Sequence, residues 1–399
     1  KKRANIEVRM NGKKYADIPA ADLCLGGGAP VYYRDTKRPD YLDKFQNEDL
    51  STLPEPEDYN EVLLNLMSSP NIADKGWVYH QYDHSVRTNT MVTPGSSAAV
   101  IRLKKAPNKA LATSTDGNGR YVYLNPRNGG KIAVAESARN VVCSGGKPMA
   151  ITNCLNFGNP YDPEVYYQFK EAVLGMGEAC EMFNTPVTGG NVSFYNESPN
   201  TAIFPTPVIG MLGLVENLKH VTTSEFKNAG DFIIMLGTIK PELGGTEFLK
   251  VVHDKVTGNC PAIDLHFEKR IQKTALAAIR SGIVKSATDI SDGGMAVAVA
   301  ESLVRNKGNN LGASLYISRK MREDELLFSE SQSVIILSIG ENDLLELEKI
   351  TSDFQVPSTT IGKVTDDGIL KINDVVKIEV DKLSDAYFKT LPTIMKDEH

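Results

Sequence analysis

Four short turns concentrate the residues able to do chemistry. "STDGNG" sets Asp116 beside Gly117, and "ITNCLNFGNP" sets Asn153 and Asn156 ahead of Gly158. "TPVTGGNVSFYNES" carries Gly189, Gly190, Asn191 and Ser193, and "ATDISDGGMAVAVAES" sets Asp289 and Asp292 before Gly293 and Gly294. Carboxylate and amide oxygens of this kind suit magnesium, which takes one or two carboxylates and completes its shell with phosphate oxygens and water. Glycines ahead of a helix leave backbone N–H groups free, and a helix N-terminus attracts phosphate. Paired glycines inside a strand lose packing and add chain entropy, so Gly189 and Gly190 imply a close approach to the backbone, by a ligand or by a tight bulge. Together the turns point to a nucleotide or phosphate ligand with a divalent metal. Singly, each has a plain structural reading: Asp292 as a helix N-cap, Asp116-Gly117 as a turn, and Asn156 and Asn159 as turn residues around Gly158. His84, in "YHQYDHSVRTNT", is either an acid-base group or a satisfied structural one.

Other chemistries are missing. Two "GGK" strings fail as phosphate-binding P-loops, because Asn125 and Val141 stand where the earlier glycine belongs and Ile132 and Pro148 follow the lysines. "GMGEAC" and "GNGRYV" lack the third glycine of a dinucleotide fingerprint, and there is no G-x-S-x-G or H-E-x-x-H. The five cysteines, Cys24, Cys143, Cys154, Cys180 and Cys260, are odd in number and far apart. That pattern fits buried free thiols in a reducing compartment, the cytoplasm, much better than a disulfide framework or a zinc site. A net charge of −6 without a long Lys/Arg block argues against nucleic-acid or membrane partners. No apolar run reaches the ~18 residues of a membrane span, and "KKRANIEVRMNGKKY" has no signal-peptide core.

The elements that must position these turns alternate between strand and helix. "IEVRMNGKKYADIP" reads as a hairpin around Asn-Gly whose sheet partners lie outside the chain. Residues 25–59, rich in Pro, Gly and charge, read as a linker or wrapping segment. Strands "AAVIRLK", "KALATST", "YVYLN" and "MAITNCL" then alternate with helices "GKIAVAESARNVVCSGG" and "EVYYQFKEAVLGMGEACEMF". In the second helix Tyr167, Phe169, Ala172, Val173 and Met176 mark the expected apolar face. A second set runs from "AGDFIIMLG" through "LHFEKRIQKTALAAIRSGI" and "VKSATDI" to "SVIILSIG" and "ILKINDVVKIEVD". The expected class is α/β, built of α+β layers. The expected domains are a tail and linker over 1–56, a nucleotide and metal domain over 57–220, and a second α/β domain over 221–399.

The runs "WVYHQYDHSVRTNTMVTPGSSAAVIRL", "GGKIAVAESARNVVCSGGKPMAITNCLNFGNP", "EACEMFNTPVTGGNVSFYNES" and "DISDGGMAVAVAES" resemble the second half of the phosphoribosylformylglycinamidine synthase family. They also resemble the wider superfamily of aminoimidazole ribonucleotide synthetase, selenophosphate synthetase and thiamine-monophosphate kinase. The resemblance implies a two-domain aminoimidazole-ribonucleotide-synthetase-like fold whose first domain forms a barrel with its counterpart in the other half. It implies an ATP- and Mg-dependent carbon-nitrogen ligase that converts formylglycinamide ribonucleotide into the amidine, with ammonia delivered by a separate glutaminase subunit alongside a small accessory subunit. Carried over by motif, Asn153 and Gly190 contact the nucleotide, Asn191 binds the metal and Ser193 the substrate. Asn153 stands where the family has Asp, which keeps a hydrogen bond and loses a charge. Asp116, Asp289 and Asp292 fall on an auxiliary site, with Thr288 replacing the family's usual His. The family's catalytic His and phosphate-binding Lys belong to the first half, so no catalytic residue is expected here. The absence of an initiator Met fits a piece of a longer chain, one that needs its own N-terminal half and self-associates without it. A non-catalytic nucleotide-binding or scaffold module is the alternative; a complete kinase or selenophosphate-type synthetase fits the motifs less well.

Overall fold

The computed structural model describes residues 5–23, 32–199, 201–306, 308, 310–318 and 320–396; Cys24 lies outside them. Strands β1 (Asn5–Met10) and β2 (Lys13–Pro19) pair antiparallel around Asn11 and Gly12, both at positive φ, as the Asn-Gly pair dictates. They form a sheet of their own with Ile6, Val8, Met10 and Tyr15 exposed. Helices α1 (Tyr41–Gln46), α2 (Tyr59–Met67) and α3 (Gly76–Tyr79) follow. The wrapping segment is anchored where Tyr41 stacks on Tyr123, ring centroids 4.4 Å apart.

The first domain is a six-stranded sheet of β3 (Thr90–Val92), β4 (Ala99–Arg102), β5 (Ala110–Asp116), β6 (Lys147–Asn156), β7 (Val187–Ser193) and β8 (Thr206–Val215), in the order β3-β4-β5-β8-β6-β7. Only β6 and β7 run parallel. Helices α5 (Pro126–Cys143) and α6 (Pro163–Phe183) cover one face, preceded by α4 (Gly119–Leu124). They approach closely because Gly130 lies on the Ala172 backbone and Gly175 on the Arg127 carbonyl, where a methyl would collide. "YVYLN" forms the end of α4 over Tyr121–Leu124, with Asn125 as its C-cap, and is not a strand. The Asn118 side chain accepts the Arg120 and Tyr121 N–H groups and starts the helix, overriding the strand preference of Tyr and Val. On α6 the buried stripe is Gln168, Ala172, Gly175, Met176 and Ala179, while Val173 faces solvent. The sheet's other face leaves Ile101 and Leu212 exposed, and β7 is an open edge with Val187 and Val192 exposed.

The second domain is a seven-stranded sheet of β9 (Phe232–Leu236), β10 (Val284–Asp289), β11 (Gly312–Leu315), β12 (Ile335–Ile339), β13 (Ser358–Thr365), β14 (Ile369–Ile372) and β15 (Val376–Glu379), in the order β10-β12-β9-β13-β11-β14-β15. Its helices are α7 (Glu247–His253), α8 (Leu265–Ser281), α9 (Gly294–Val304), α10 (Glu323–Phe328), α11 (Leu344–Asp353) and α12 (Val380–Ile394). Strands β9 and β12 are apolar runs because helices bury both faces: α8 and α11 on one side, α9 and α12 on the other. Helix α2 joins this second core. Tyr59, Val62, Leu63, Leu66 and Met67 pack with Phe226, Phe248, Met295, Phe328 and Tyr387. A first domain drawn from residue 57 thus differs from the packing, since the apolar stripe of α2 finds its partner more than 150 residues downstream.

Candidate functional site

Strands β5 and β10 end in the same place, so Asp116 and Asp289 face one cleft of about 560 Å³ between the domains. Asp292, Glu136 and Glu301 add carboxylates to its wall, and Lys75 and Arg305 add cations. Asn140 Nδ2 donates to Asp116 Oδ1 (2.9 Å), whereas Asp116 Oδ2 is buried and has no hydrogen-bond partner. Burial and the neighbouring Asp289 raise the Asp116 carboxyl above its ordinary range. Burial also raises Asp289, Asp292 and Glu136, against the opposing pull of Arg139 on Asp289 and of Arg120 on Asp292. Desolvation lowers Lys75, whose ammonium donates to the carbonyls of Asn71 and Ala73.

Two buried clusters fix these groups. On α5, Arg139 is fully buried and donates to Glu268 Oε2 (3.0 Å), Asp289 Oδ2 (3.3 Å) and Gln332 Oε1 (2.8 Å), tying the first domain to three parts of the second. At the other end, Asp292 does not cap α9. The N-cap is Gly293, which takes φ 83° and donates its N–H to Glu330 Oε1 (2.7 Å), and Asp292 Oδ1 instead accepts from Asn118 Nδ2 (3.0 Å). Gly294, at φ 76°, leaves no room for a Cβ against the Phe328 backbone. Glu330 also accepts the Glu247 N–H (2.7 Å) and the Tyr121 hydroxyl, and burial followed by the Asp292 charge pushes it up to about 8.

The second group of expected residues lies outside this cleft, on β6 and β7. In their parallel register Asn153 pairs with Gly190, Cys154 with Asn191, and Asn156 with Ser193. A methyl on Gly190 would overlap the Asn153 amide and stand 2.6 Å from its carbonyl, so glycine there is demanded by the neighbouring strand; Gly189 faces open space. Ser193 Oγ donates to Asn196 Oδ1 (3.2 Å), and Asn191 is exposed. The structure thus brings Asn153 of β6 beside Gly190, Asn191 and Ser193 of the edge strand β7, and Asp116, Asp289 and Asp292 together in the cleft, as two separate places.

His84 lines a smaller adjoining cavity of about 380 Å³ with Asp74, Tyr79 and Arg305, its Nδ1 buried without a partner. Cys143, Cys154, Cys180 and Cys260 are free thiols. Among the described residues no group of three His, Cys, Asp or Glu side chains could hold a metal ion, and no helix is long and apolar enough to cross a membrane. A cation in the cleft therefore needs oxygens from a ligand as well as Asp116 Oδ2, the donor set a magnesium-bound phosphate supplies. The β6–β7 pair offers only amide and hydroxyl oxygens, since neither strand carries a carboxylate. Sequence reasoning missed Glu136, Lys75, Glu301, Arg305 and Arg139. Each sits inside a helix or an ordinary loop, with no turn chemistry to mark it.

A mixed six-stranded domain and a mixed seven-stranded domain, each lending a strand-end Asp to one shared cleft, define a class of two-domain α/β protein. The models for the N-terminal and C-terminal domains of AIR synthase related proteins match residues 95–215 and 228–375. The chain belongs to this AIR synthase related family. It is 44% identical over 393 residues to the phosphoribosylformylglycinamidine synthase subunit PurL of Moorella thermoacetica, covering 98% of this chain and 53% of that protein. The chain thus spans about half the length of that curated relative. Thermotoga maritima PurL complexed with FGAR has a similar fold, with a TM-score of 0.66 at 20% identity over 86% of this chain and 56% of that one. The same protein complexed with ATP gives a TM-score of 0.62 at 19% identity, with 86% and 55% coverage.

Proposed function

We propose that this chain is the C-terminal half of a phosphoribosylformylglycinamidine synthase, an ATP-dependent carbon-nitrogen ligase of purine biosynthesis. The observation that carries the reading is 44% identity to a PurL subunit across nearly the whole chain but only about half of that relative. In this reading ATP phosphorylates the amide oxygen of formylglycinamide ribonucleotide, ammonia adds at carbon and phosphate leaves. The half described here supplies contacts: Asn153 and Gly190 to the nucleotide, Ser193 to the substrate and Asn191, as a neutral oxygen ligand, to magnesium. The cleft of Asp116, Asp289 and Asp292 is the auxiliary site, where Asp116 Oδ2 would hold a phosphate-bound magnesium that would neutralise phosphate charge. The residues' own work is to orient the phosphates and to exclude water.

The partners in this reading are the chain's own N-terminal half, a glutaminase subunit and a small accessory subunit, with the cytoplasm as location. The exposed face around Ile101 and Leu212 is where the other half packs, and in its absence a second copy of this chain does so. A non-catalytic nucleotide-binding module is the competing reading, favoured by the lack of any charged side chain on β7. The deciding experiment is amidine formation from formylglycinamide ribonucleotide, ATP, magnesium and ammonium salt, by this chain alone and with the N-terminal half added. Turnover only in the mixture supports the half-site reading; no turnover from two folded pieces, joined or separate, supports the scaffold. In the intact enzyme, Asn191→Ala should weaken magnesium-ATP use more than folding, and unchanged magnesium dependence would remove that assignment.

A further inference from the structure

Helix α8 presents two faces. Ile271, Ala275, Ala278 and Ile279 are buried in the second core, while Lys269, Gln272, Lys273, Leu276, Ala277 and Arg280 recur at helical spacing along another stripe. That stripe forms one wall of a groove of about 490 Å³, a volume typical of small-molecule sites. The first domain contributes Lys147, Pro148 and Phe183, and Phe354 follows from the end of α11. Four cations and no carboxylate line this groove, in a chain whose net charge is −6.

The cations are not equivalent. Lys269 is committed to the Met182 carbonyl (2.6 Å), whereas Arg280 Nε and Nη2 are buried and have no hydrogen-bond partner. Their nearest carboxylate, Glu216 Oε2, stands 3.5 Å from Nη2 as an ion pair only. Glu216 also locates Lys147, because Lys147 pairs in the sheet with Leu214, two residues from Glu216. Lys147 thus lies on the strand next to the one that leads to Glu216, the ion-pair partner of Arg280, and both cations line the groove. Leu276 and Ala277, with Phe183 and Phe354, make the apolar part of the lining. A guanidinium whose Nε and Nη2 make no hydrogen bond and whose carboxylate contact is a 3.5 Å ion pair, set beside an apolar wall, is complementary to an anionic head carried on an apolar body.

We propose that this groove binds a small amphiphilic anion, with a phosphate or carboxylate head at Arg280 and Lys147 and a flat apolar body against Leu276, Phe183 and Phe354. The inference rests on no part of the proposed reaction, and the site is distinct from both the cleft and the β6–β7 edge.

Titration calorimetry of the whole chain with phenyl phosphate, phenylacetate and inorganic phosphate tests it. One site per chain is expected for at least one aryl ligand, about tenfold or more tighter than for inorganic phosphate, and the tighter aryl ligand identifies the head group. Arg280→Gln should weaken that binding about tenfold with Arg280→Lys intermediate, and Leu276→Ser should weaken the aryl ligand but not inorganic phosphate. Circular dichroism confirms that each variant is folded. Lys147→Gln and Lys273→Gln, at exposed positions, keep the test available if Arg280 variants do not fold. Equal affinity for inorganic phosphate, no aryl binding at millimolar ligand, or binding lost in Lys75→Gln but kept in the groove variants would each overturn the proposal.

Discussion

Gly190 is held to glycine by its neighbour and not by its own backbone. Its φ is not positive, and the Asn153 amide and carbonyl fill the space a methyl would take. Gly190→Ala should therefore destabilise the chain by roughly 1–3 kcal/mol through overpacking, whereas Gly189→Ala, facing open space, should be neutral or stabilising by about 0.5–1 kcal/mol. Urea unfolding of the two variants checks the contrast, and equal effects would show that the strand relaxes around either methyl. The paired glycines in the sequence signalled a close approach; which glycine, and to what, needed the parallel register of β6 and β7. In the cleft, burial raises Asp116, Asp289 and Asp292, so protons compete there with a cation. On the proposed reading magnesium-nucleotide binding should tighten from pH 6 to pH 8, and Asp116→Asn should flatten that dependence; titration at the two pH values would refute it if wild type and variant behaved alike.

At the scale of elements, the Asp292 turn shows what a local sequence pattern can and cannot report. Asp292 before two glycines has the pattern of a helix cap, yet its oxygen is taken by Asn118 from the other domain, and Glu330 does the capping from about 40 residues downstream. Local patterns report local partners, and such long-range hydrogen bonds leave no spacing to read. The same limit applies to "YVYLN", where one asparagine side chain outweighed strand propensity, and to Arg139, whose partners Glu268, Asp289 and Gln332 lie more than 120 residues away. Strand and helix alternation, by contrast, was mostly legible, because the apolar periodicity of elements such as α8 is set by a core on one side.

Glu330 gives the element its own pH dependence. Its folded pKa of about 8 lies above the ordinary 4.5, so the folded state holds a proton that the unfolded state releases between those values. The sign follows: this contribution is fully present below about pH 4.5 and is lost as pH rises through about 8. Glu330→Gln should be close to neutral near pH 5 and should remove a loss on the order of 2–4 kcal/mol between pH 5 and 9. Denaturant midpoints across that range measure it, and a pH slope unchanged by the substitution would count against the assignment.

For the whole molecule, the Arg139 cluster acts as a lock between domains. Arg139→Met leaves Glu268 and Asp289 buried without their cation and should cost about 3–5 kcal/mol, more at pH 8 than at pH 5, where the Asp289 carboxyl, already raised by burial, can take up a proton. If the lock couples the domains, wild type melts in one calorimetric transition and the variant in two. The exposed sheet face belongs to the same scale. Sedimentation at micromolar concentration should show self-association that Leu212→Lys reduces, and a monodisperse wild-type monomer would contradict it.

The domain boundary was the least legible feature, since nothing in α2 announces that its core is assembled so far along the chain. That displacement has a consequence during synthesis. After α2 is made, about 165 further residues must be translated before β9 begins to form the surface it packs on. At roughly 5–20 residues per second, the apolar stripe of Leu63, Leu66 and Met67 waits on the order of 10–30 s outside the ribosome while the whole first domain folds beside it. A nascent chain arrested before β9 should hold a folded sheet domain tethered to an unburied helix, the form most exposed to holdase chaperones and to proteases.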